Sequence, residues 1–292
     1  MKNKKVIVFG GSGFVGSAVA DELTKQGYKV TIFDIKKSKY LNVKQKMIIG
    51  DITDLMAVKK SIKDNDYIYN FAAIGDISLA DKVPIETCNI NIIGNLNILE
   101  SIKQSKKKYI FASTIYVYGN EGGIYRCSKQ AAELMIEEYS RKYSLNYVIL
   151  RFGSLYGPRS DKNNGLYKIL FNSLKNKRVT YEGDYETSRE YLHISDAAVA
   201  STHMLNRKFN KFRVNLTGIN SIKVYDLLKT INEILGYKNN VKFIKSNNTN
   251  HYIRTPYNYS EKLTKKYFLN ENVDLGQGIL ELLNYIKTSN KF

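Results

Sequence analysis

The chain has 292 residues, of which 45 are Lys or Arg and 27 are Asp or Glu, giving a formal charge of +18 and an isoelectric point near 9.5. Hydrophobic residues at 43% and aromatics at 12% exclude a wholly disordered chain, and no run reaches the roughly 18–20 apolar residues of a membrane-spanning helix. Two cysteines, Cys88 and Cys127, exclude a disulfide framework or a cysteine-rich metal site, and Met1–Lys5 leads into a strand-like run without the regions of a signal peptide, so a cytoplasmic protein is expected.

Short apolar runs alternate with amphipathic stretches through the first half, the pattern of a parallel sheet covered by helices. Strands are predicted at Val6–Phe9, Lys29–Phe33, Lys46–Ile49, Tyr67–Phe71, Lys108–Ala112 and Tyr147–Leu150. Helical spacing of apolar positions falls between them, at Gly13–Gln26, Leu55–Lys63, Ile90–Gln104 and Lys129–Tyr143. After Arg151 the rhythm changes. A turn-rich segment, Tyr156–Gly165, precedes predicted helices at Leu166–Asn176, Ser195–Asn206, Val224–Leu235 and Leu275–Ile286. The expected fold class is α/β, a doubly wound Rossmann-type parallel sheet over residues 1–155. A smaller C-terminal α+β lobe is expected over residues 156–292, the two interleaved in one body.

The strongest local signal is Val6-Ile-Val-Phe-Gly10-Gly-Ser-Gly13-Phe-Val-Gly16, a hydrophobic strand ending in glycines spaced G-x-x-G-x-x-G with a helix starting inside the motif. Gly10 permits a tight turn, Gly13 lets backbone amides approach a pyrophosphate, and Gly16 lets the helix pack on the sheet. The helix start, with Phe14 and Val15, offers free N–H donors and positive dipole to phosphate. Asp34 ends the second strand, 18 residues past Gly16, where a carboxylate accepts from ribose hydroxyls and repels a 2′-phosphate. NAD is therefore favoured over NADP, with Lys36 and Lys37 next door arguing the other way. Asp51, followed by Ile52, comes after the third strand and is placed to reach an adenine amino group; either aspartate also suits a turn or helix cap.

Tyr125 and Lys129 stand four residues apart, hence on one helical face. An ammonium beside a phenol favours the phenolate and is expected to lower its acid constant, making Tyr125 a general base for an alcohol proton. The spacing alone is common; its context behind a nucleotide-binding turn gives it meaning.

With these motifs in order, the sequence resembles the extended short-chain dehydrogenase/reductase family, the nucleotide-sugar epimerases and dehydratases, over nearly its whole length. The segment Phe111-Ala-Ser-Thr-Ile-Tyr-Val-Tyr-Gly119 is similar to the family segment ending V-Y-G. The resemblance implies that Thr114, with Ser113 beside it, meets the sugar hydroxyl being oxidised, and that Lys129 also holds the nicotinamide ribose. Asn70-Phe71-Ala72-Ala73 resembles the segment that lines the cofactor, and Asn91–Glu100 the helix after it. Arg151–Arg159, including Ser154 and Arg159, resembles the entry to the substrate lobe. Arg189–Asp196 resembles the R-[DE]-[FY]-[IV]-H-V-x-D segment. Arg189 is thereby a candidate for the substrate diphosphate, and Arg254 a weaker one; His193 alone reads as packing.

Three departures matter. Ile115 and Tyr116 stand where the family's dehydratases carry Asp-Glu, which argues against dehydration. The stretch from Gly119 to Tyr125 is short, and Ser154 replaces the family's Asn. The resemblance implies NAD-dependent oxidation at C4 of a UDP- or GDP-linked sugar, as a 4-epimerase or a 4-dehydrogenase of surface-polysaccharide sugar synthesis. The dehydrogenase or reverse ketoreductase reading, including GDP-heptose substrates, stands nearly level. It also implies a homodimer through the Ile90–Gln104 and Lys129–Tyr143 helices. A non-catalytic NAD-binding sensor is the alternative of another class, disfavoured by the intact Thr114, Tyr125 and Lys129.

The charge invites a nucleic-acid reading. Lysines number 36 against 9 arginines, with 29 asparagines, and they are dispersed. Phosphate and base readout favour Arg, and no DNA- or RNA-binding motif is present. Neither nucleic acid nor membrane is expected as a partner, and most of the excess reads as compositional background.

Overall fold

The computed structural model describes residues 4–184, 186–238, 241–244, 251–253, 265–269 and 271–290. The chain opens with β1 (Lys5–Phe9), α1 (Phe14–Lys25), β2 (Lys29–Asp34), β3 (Lys46–Ile49), α2 (Leu55–Ile62) and β4 (Tyr67–Asn70). Two short helices, α3 (Ile77–Lys82) and α4 (Pro84–Cys88), lead through a π turn at Asn89–Ile93 into α5 (Gly94–Ile102). Then come β5 (Lys108–Thr114), a 3₁₀ turn at Ile115–Tyr118, α6 (Gly123–Tyr143), β6 (Asn146–Phe152) and β7 (Ser154–Tyr156). The rest is α7 (Gly165–Asn176), β8 (Thr180–Glu182), β9 (Ser188–Arg189), β10 (Tyr191–His193), α8 (Ile194–His203), β11 (Phe212–Leu216), β12 (Ile222–Lys223), α9 (Val224–Ile234), β13 (Lys242–Ile244), β14 (Lys265–Lys266) and α10 (Leu275–Asn290).

Eight parallel strands form the central sheet in the order β3-β2-β1-β4-β5-β6-β11-β14. Strand order reverses between β1 and β4, which opens a crevice at the carboxyl ends of those two strands. All six predicted strands are present, within two residues at each end. The sheet is Rossmann-type and doubly wound, as expected.

Alternate residues of each buried strand feed two cores, which is why these strands read as continuous apolar runs. Val6, Val8, Ile32 and Val148 pack under α1 and α8; Ile7, Phe9, Ile68 and Phe111 pack under α2, α5 and α6. Each such side chain contributes about 1.5–3 kcal/mol by leaving water. A third core joins Tyr156 to Leu170 of α7, Leu227 and Ile231 of α9, and Leu282 and Ile286 of α10. It forms the smaller lobe. β11 and β14 belong to the segment after residue 155 yet complete the central sheet, so the chain passes back into the sheet twice within that segment.

Among the described residues no helix is long and apolar enough to cross a membrane. The helices α3 and α4 lie outside the predicted set, because neither is long enough to show an apolar period.

Candidate active site

The glycine turn is built for a close approach. Gly10 has a φ of +72°, and a β-carbon there would lie 2.4 Å from the Ala72 nitrogen. Its own N–H donates to the Phe33 carbonyl, 2.9 Å away, pinning the turn to β2. Gly13 caps α1 without a side-chain bond, and no acidic residue occupies the first turn. The first N–H groups of α1 therefore point into the crevice without a side-chain acceptor, a fit for a pyrophosphate.

Asp34 closes the turn from β2. Its carboxylate accepts from the Ser12 N–H at 3.0 Å and from the Lys36 N–H at 3.2 Å. Asp51 accepts from the Thr53 N–H at 2.8 Å, a turn cap, while Ile52 is buried against Gly94. Asn70 holds the Ala72 N–H at 3.1 Å and so shapes the strand end that carries Phe71 and Ala73.

One cavity of about 410 Å³ runs from this turn to the end of β5. Of the residues singled out in the sequence, Gly10, Gly13, Phe14, Val15, Gly16, Phe71, Ala73, Ser113, Thr114, Tyr125 and Lys129 line it. Asp34, Asp51, Ile52, Ala72, Ser154, Arg159 and Arg189 do not.

Thr114 ends β5 and caps the following 3₁₀ turn, accepting from the Tyr116 N–H at 3.3 Å. Its side chain faces the same cavity as the Tyr125 hydroxyl and acts to lower the pKa of that phenol. Tyr125 is brought there by a sharp turn rather than a long loop. Gly122 and Gly123 both have positive φ, +96° and +51°, and the Ile124 N–H donates to Asp81 of α3 at 2.9 Å. A brace behind the helix fixes it further: Asn91, in the π turn, donates to Ser128 at 2.9 Å, and Ser128 donates to the Tyr125 carbonyl at 2.7 Å. Asn91 also bonds both backbone groups of Ile74, so one side chain couples α6 to the cavity wall after β4.

Lys129 is buried, donates to the Ala112 carbonyl at 2.8 Å and lies 5.9 Å from the centre of the Tyr125 ring. Burial lowers its acid constant to about 8, with Glu133 acting in the opposite direction. The expectation that Lys129 lowers the Tyr125 acid constant is corrected here. Burial pushes the phenol up to about 12, and the Thr114 side chain is what opposes it. The ammonium is spent on the Ala112 carbonyl, and desolvation outweighs its reach.

The substrate-side candidates are dispersed. Ser113 donates to buried Glu133 at 2.5 Å, away from a free role. Ser154 does not line the cavity and acts on Tyr252, whose pKa it lowers against the rise from burial. Arg189 stacks on the Tyr252 ring at 4.1 Å and donates to the Ser188 carbonyl at 3.0 Å. Arg159 adopts a φ of +73°, pairs with Asp21 of α1 at 2.6 Å and covers the Tyr40 ring, which takes it away from the cavity lining. Arg254 lies outside the described residues.

One cavity residue was given no binding role by the sequence reading. Tyr116 lines the cavity, and its hydroxyl lies 2.8 Å from His251 Nδ1, with Tyr252 buried against its ring. The V-Y-G segment signals Tyr116, but its partner is 135 residues away and carries no pattern of its own.

A doubly wound sheet with an open helix start at its switch point, and a Thr–Tyr–Lys set in the same cavity, defines a dinucleotide-dependent enzyme of the short-chain dehydrogenase/reductase type. The sequence pattern of the NAD dependent epimerase/dehydratase family matches residues 6–216, and the chain belongs to that family. Its cofactor is NAD, for which the glycine turn provides the phosphate cradle. The chain is 29% identical to a putative UDP-glucose 4-epimerase of Methanocaldococcus jannaschii, over 98% of this chain and 99% of that one. It is 28% identical to a UDP-N-acetyl-alpha-D-glucosaminuronate decarboxylase of Bacillus cytotoxicus, over 79% and 80%. The crystal structure of UDP-glucose 4-epimerase from Thermotoga maritima with UDP-glucose superposes with a TM-score of 0.84 at 25% identity, covering 98% of this chain and 99% of that one.

Proposed function

We propose that the protein is a UDP-sugar 4-epimerase. The observation that carries this reading is that Thr114, Tyr125 and Lys129 line the same cavity as the Gly10–Gly16 turn. Support for the direction comes from the 4-epimerase relatives that match end to end.

NAD supplies the hydride acceptor, with positive charge on its ring. Tyr125 takes the proton of the sugar C4 hydroxyl as the C4 hydride departs, and Thr114 orients that hydroxyl. Lys129 is placed to hold the ribose hydroxyls. Bound NAD would take and give back the C4 hydride; once the keto sugar presents its other face, Tyr125 would return the proton to the C4 oxygen, so that the centre inverts with no net redox change. Ile115 and Tyr116 offer no carboxylic acid and carboxylate at the positions where dehydratases of the family carry Asp-Glu, so elimination of water is not part of this reading.

Purified protein incubated with UDP-glucose, UDP-N-acetylglucosamine and UDP-glucuronate tests it. The expected result is a changed C4 configuration by proton NMR without accumulating NADH. Stoichiometric NADH with a keto product supports a 4-dehydrogenase instead, and conversion of GDP-linked sugars alone overturns the UDP assignment. We further infer a homodimer through α5 and α6, on which Leu134 is exposed; a monomer by light scattering overturns it.

A further inference from the structure

Tyr125, Lys129 and Glu133 follow one another at four-residue intervals along α6, so they share one helical face. The first two are explained by the reading above; the third is not. Glu133 is 4% exposed and lies inside the protein beneath the catalytic pair. Its carboxylate accepts from Ser113 Oγ at 2.5 Å, from Arg151 Nε at 3.0 Å and from Arg151 Nη2 at 2.5 Å. Ser113 precedes Thr114 on β5, and Arg151 lies opposite Ser113 on β6. One carboxylate thus ties together the helix carrying the base and the strand end carrying the catalytic hydroxyl.

The charge balance around it is uneven. Two buried cations, Lys129 and Arg151, stand against one buried anion. The groups facing Lys129 are the Tyr125 ring on its own helix, the Ala112 carbonyl and the Phe111 ring from β5, and Glu133. Arg151, from β6, is neutralised through its bidentate pair with Glu133. Glu133 is the acidic group whose field opposes the loss of the Lys129 proton.

From this geometry we infer that Glu133 is a positioning residue that keeps Lys129 an ammonium at working pH and fixes the end of β5 through Ser113. The inference rests on the proposed role of Lys129 toward NAD and deepens it. A purely structural Glu133–Arg151 pair predicts something different: loss of stability with no change in how the site titrates.

Calorimetric NAD binding, followed from pH 6 to pH 10 and needing no sugar, separates the two. In the wild type, affinity falls as pH rises through about 8, where Lys129 gives up its proton. Glu133→Gln should move that fall about one pH unit lower, giving about fivefold weaker binding near pH 8 and little change near pH 6. Because Glu133→Gln leaves Arg151 buried and unpaired and risks unfolding, the paired change Glu133→Gln/Arg151→Met is measured beside it; it removes both charges of the pair, so a smaller acid-ward shift is expected. An unmoved pH profile in the folded double variant overturns the inference. So does a uniform loss of affinity at every pH. Absence of turnover on any UDP-sugar would overturn the epimerase reading while leaving this test intact.

Discussion

Gly16 packs against Gly10 so closely that a β-carbon on Gly16 would sit 2.2 Å from the Gly10 carbonyl oxygen. The contact is backbone to backbone, so no side chain can yield, and Gly16→Ala must displace the turn or tilt α1. Overpacking of this kind typically costs 1–3 kcal/mol. The expected outcome is a lowered melting temperature and at least tenfold weaker NAD binding by calorimetry. Wild-type affinity in Gly16→Ala would show that the turn does not hold the pyrophosphate.

The same turn marks how far sequence alone reaches. Strand, glycines and helix start are local, and so is the i, i+4 pairing of Tyr125 with Lys129; local patterns survive folding unchanged. What depends on distant chain does not. Arg159 resembles a substrate residue until its guanidinium is seen with Asp21, 138 residues earlier. Tyr116 needs His251 to acquire a role. The acid constant of Tyr125 is another such case, because its sign is decided by burial from several elements rather than by the lysine one turn away. Among the described residues, the two-residue strands β9 and β12 pair only with each other and carry no apolar alternation to announce them.

Lys129 is held buried at a cost to stability. Its acid constant falls from 10.5 to about 8 on folding, so the charged form is disfavoured in the native state. Below pH 8 both states are protonated and the full penalty applies. Between about 8 and 10.5 the unfolded chain keeps the proton that the folded chain has lost, so stability gains with rising pH. Lys129→Met should therefore stabilise the ligand-free protein by up to about 3 kcal/mol at pH 7, with the advantage shrinking as pH approaches 10.5. Denaturant melts of both proteins across that range check it; a pH-independent difference would show packing alone. Epimerase activity should be lost in the same variant.

Tyr125 and Thr114 make separable contributions. Tyr125→Phe removes the proton acceptor and should lower kcat by about 10²–10⁴-fold, with NAD affinity nearly unchanged. Thr114→Val keeps the shape and removes the hydroxyl that opposes the burial-driven rise of the Tyr125 acid constant. Its alkaline activity should survive better than its neutral activity, because more base is needed to form the phenolate. Steady-state pH profiles distinguish the two; a uniform loss in Thr114→Val would assign Thr114 to substrate orientation alone.

Tyr116 and His251 give the cavity a recognition element outside the Thr–Tyr–Lys set. Burial holds the Tyr116 phenol well above its ordinary acid range, so it stays neutral, while burial and the nearby Arg189 cation lower the His251 acid constant. A neutral imidazole accepts the Tyr116 hydroxyl proton at 2.8 Å and leaves the phenol oxygen free to accept from a sugar hydroxyl. Loss of one such bond is worth about 1 kcal/mol, so Tyr116→Phe should raise the KM for the sugar nucleotide about fivefold and leave NAD affinity unchanged. Protonation of His251 below its lowered acid constant removes the acceptor. The wild-type KM should accordingly climb at pH values below 6.5, and Tyr116→Phe, already lacking the hydroxyl, should show no such climb. An identical acid limb in both proteins would place the titrating group elsewhere and leave Tyr116 as an apolar wall.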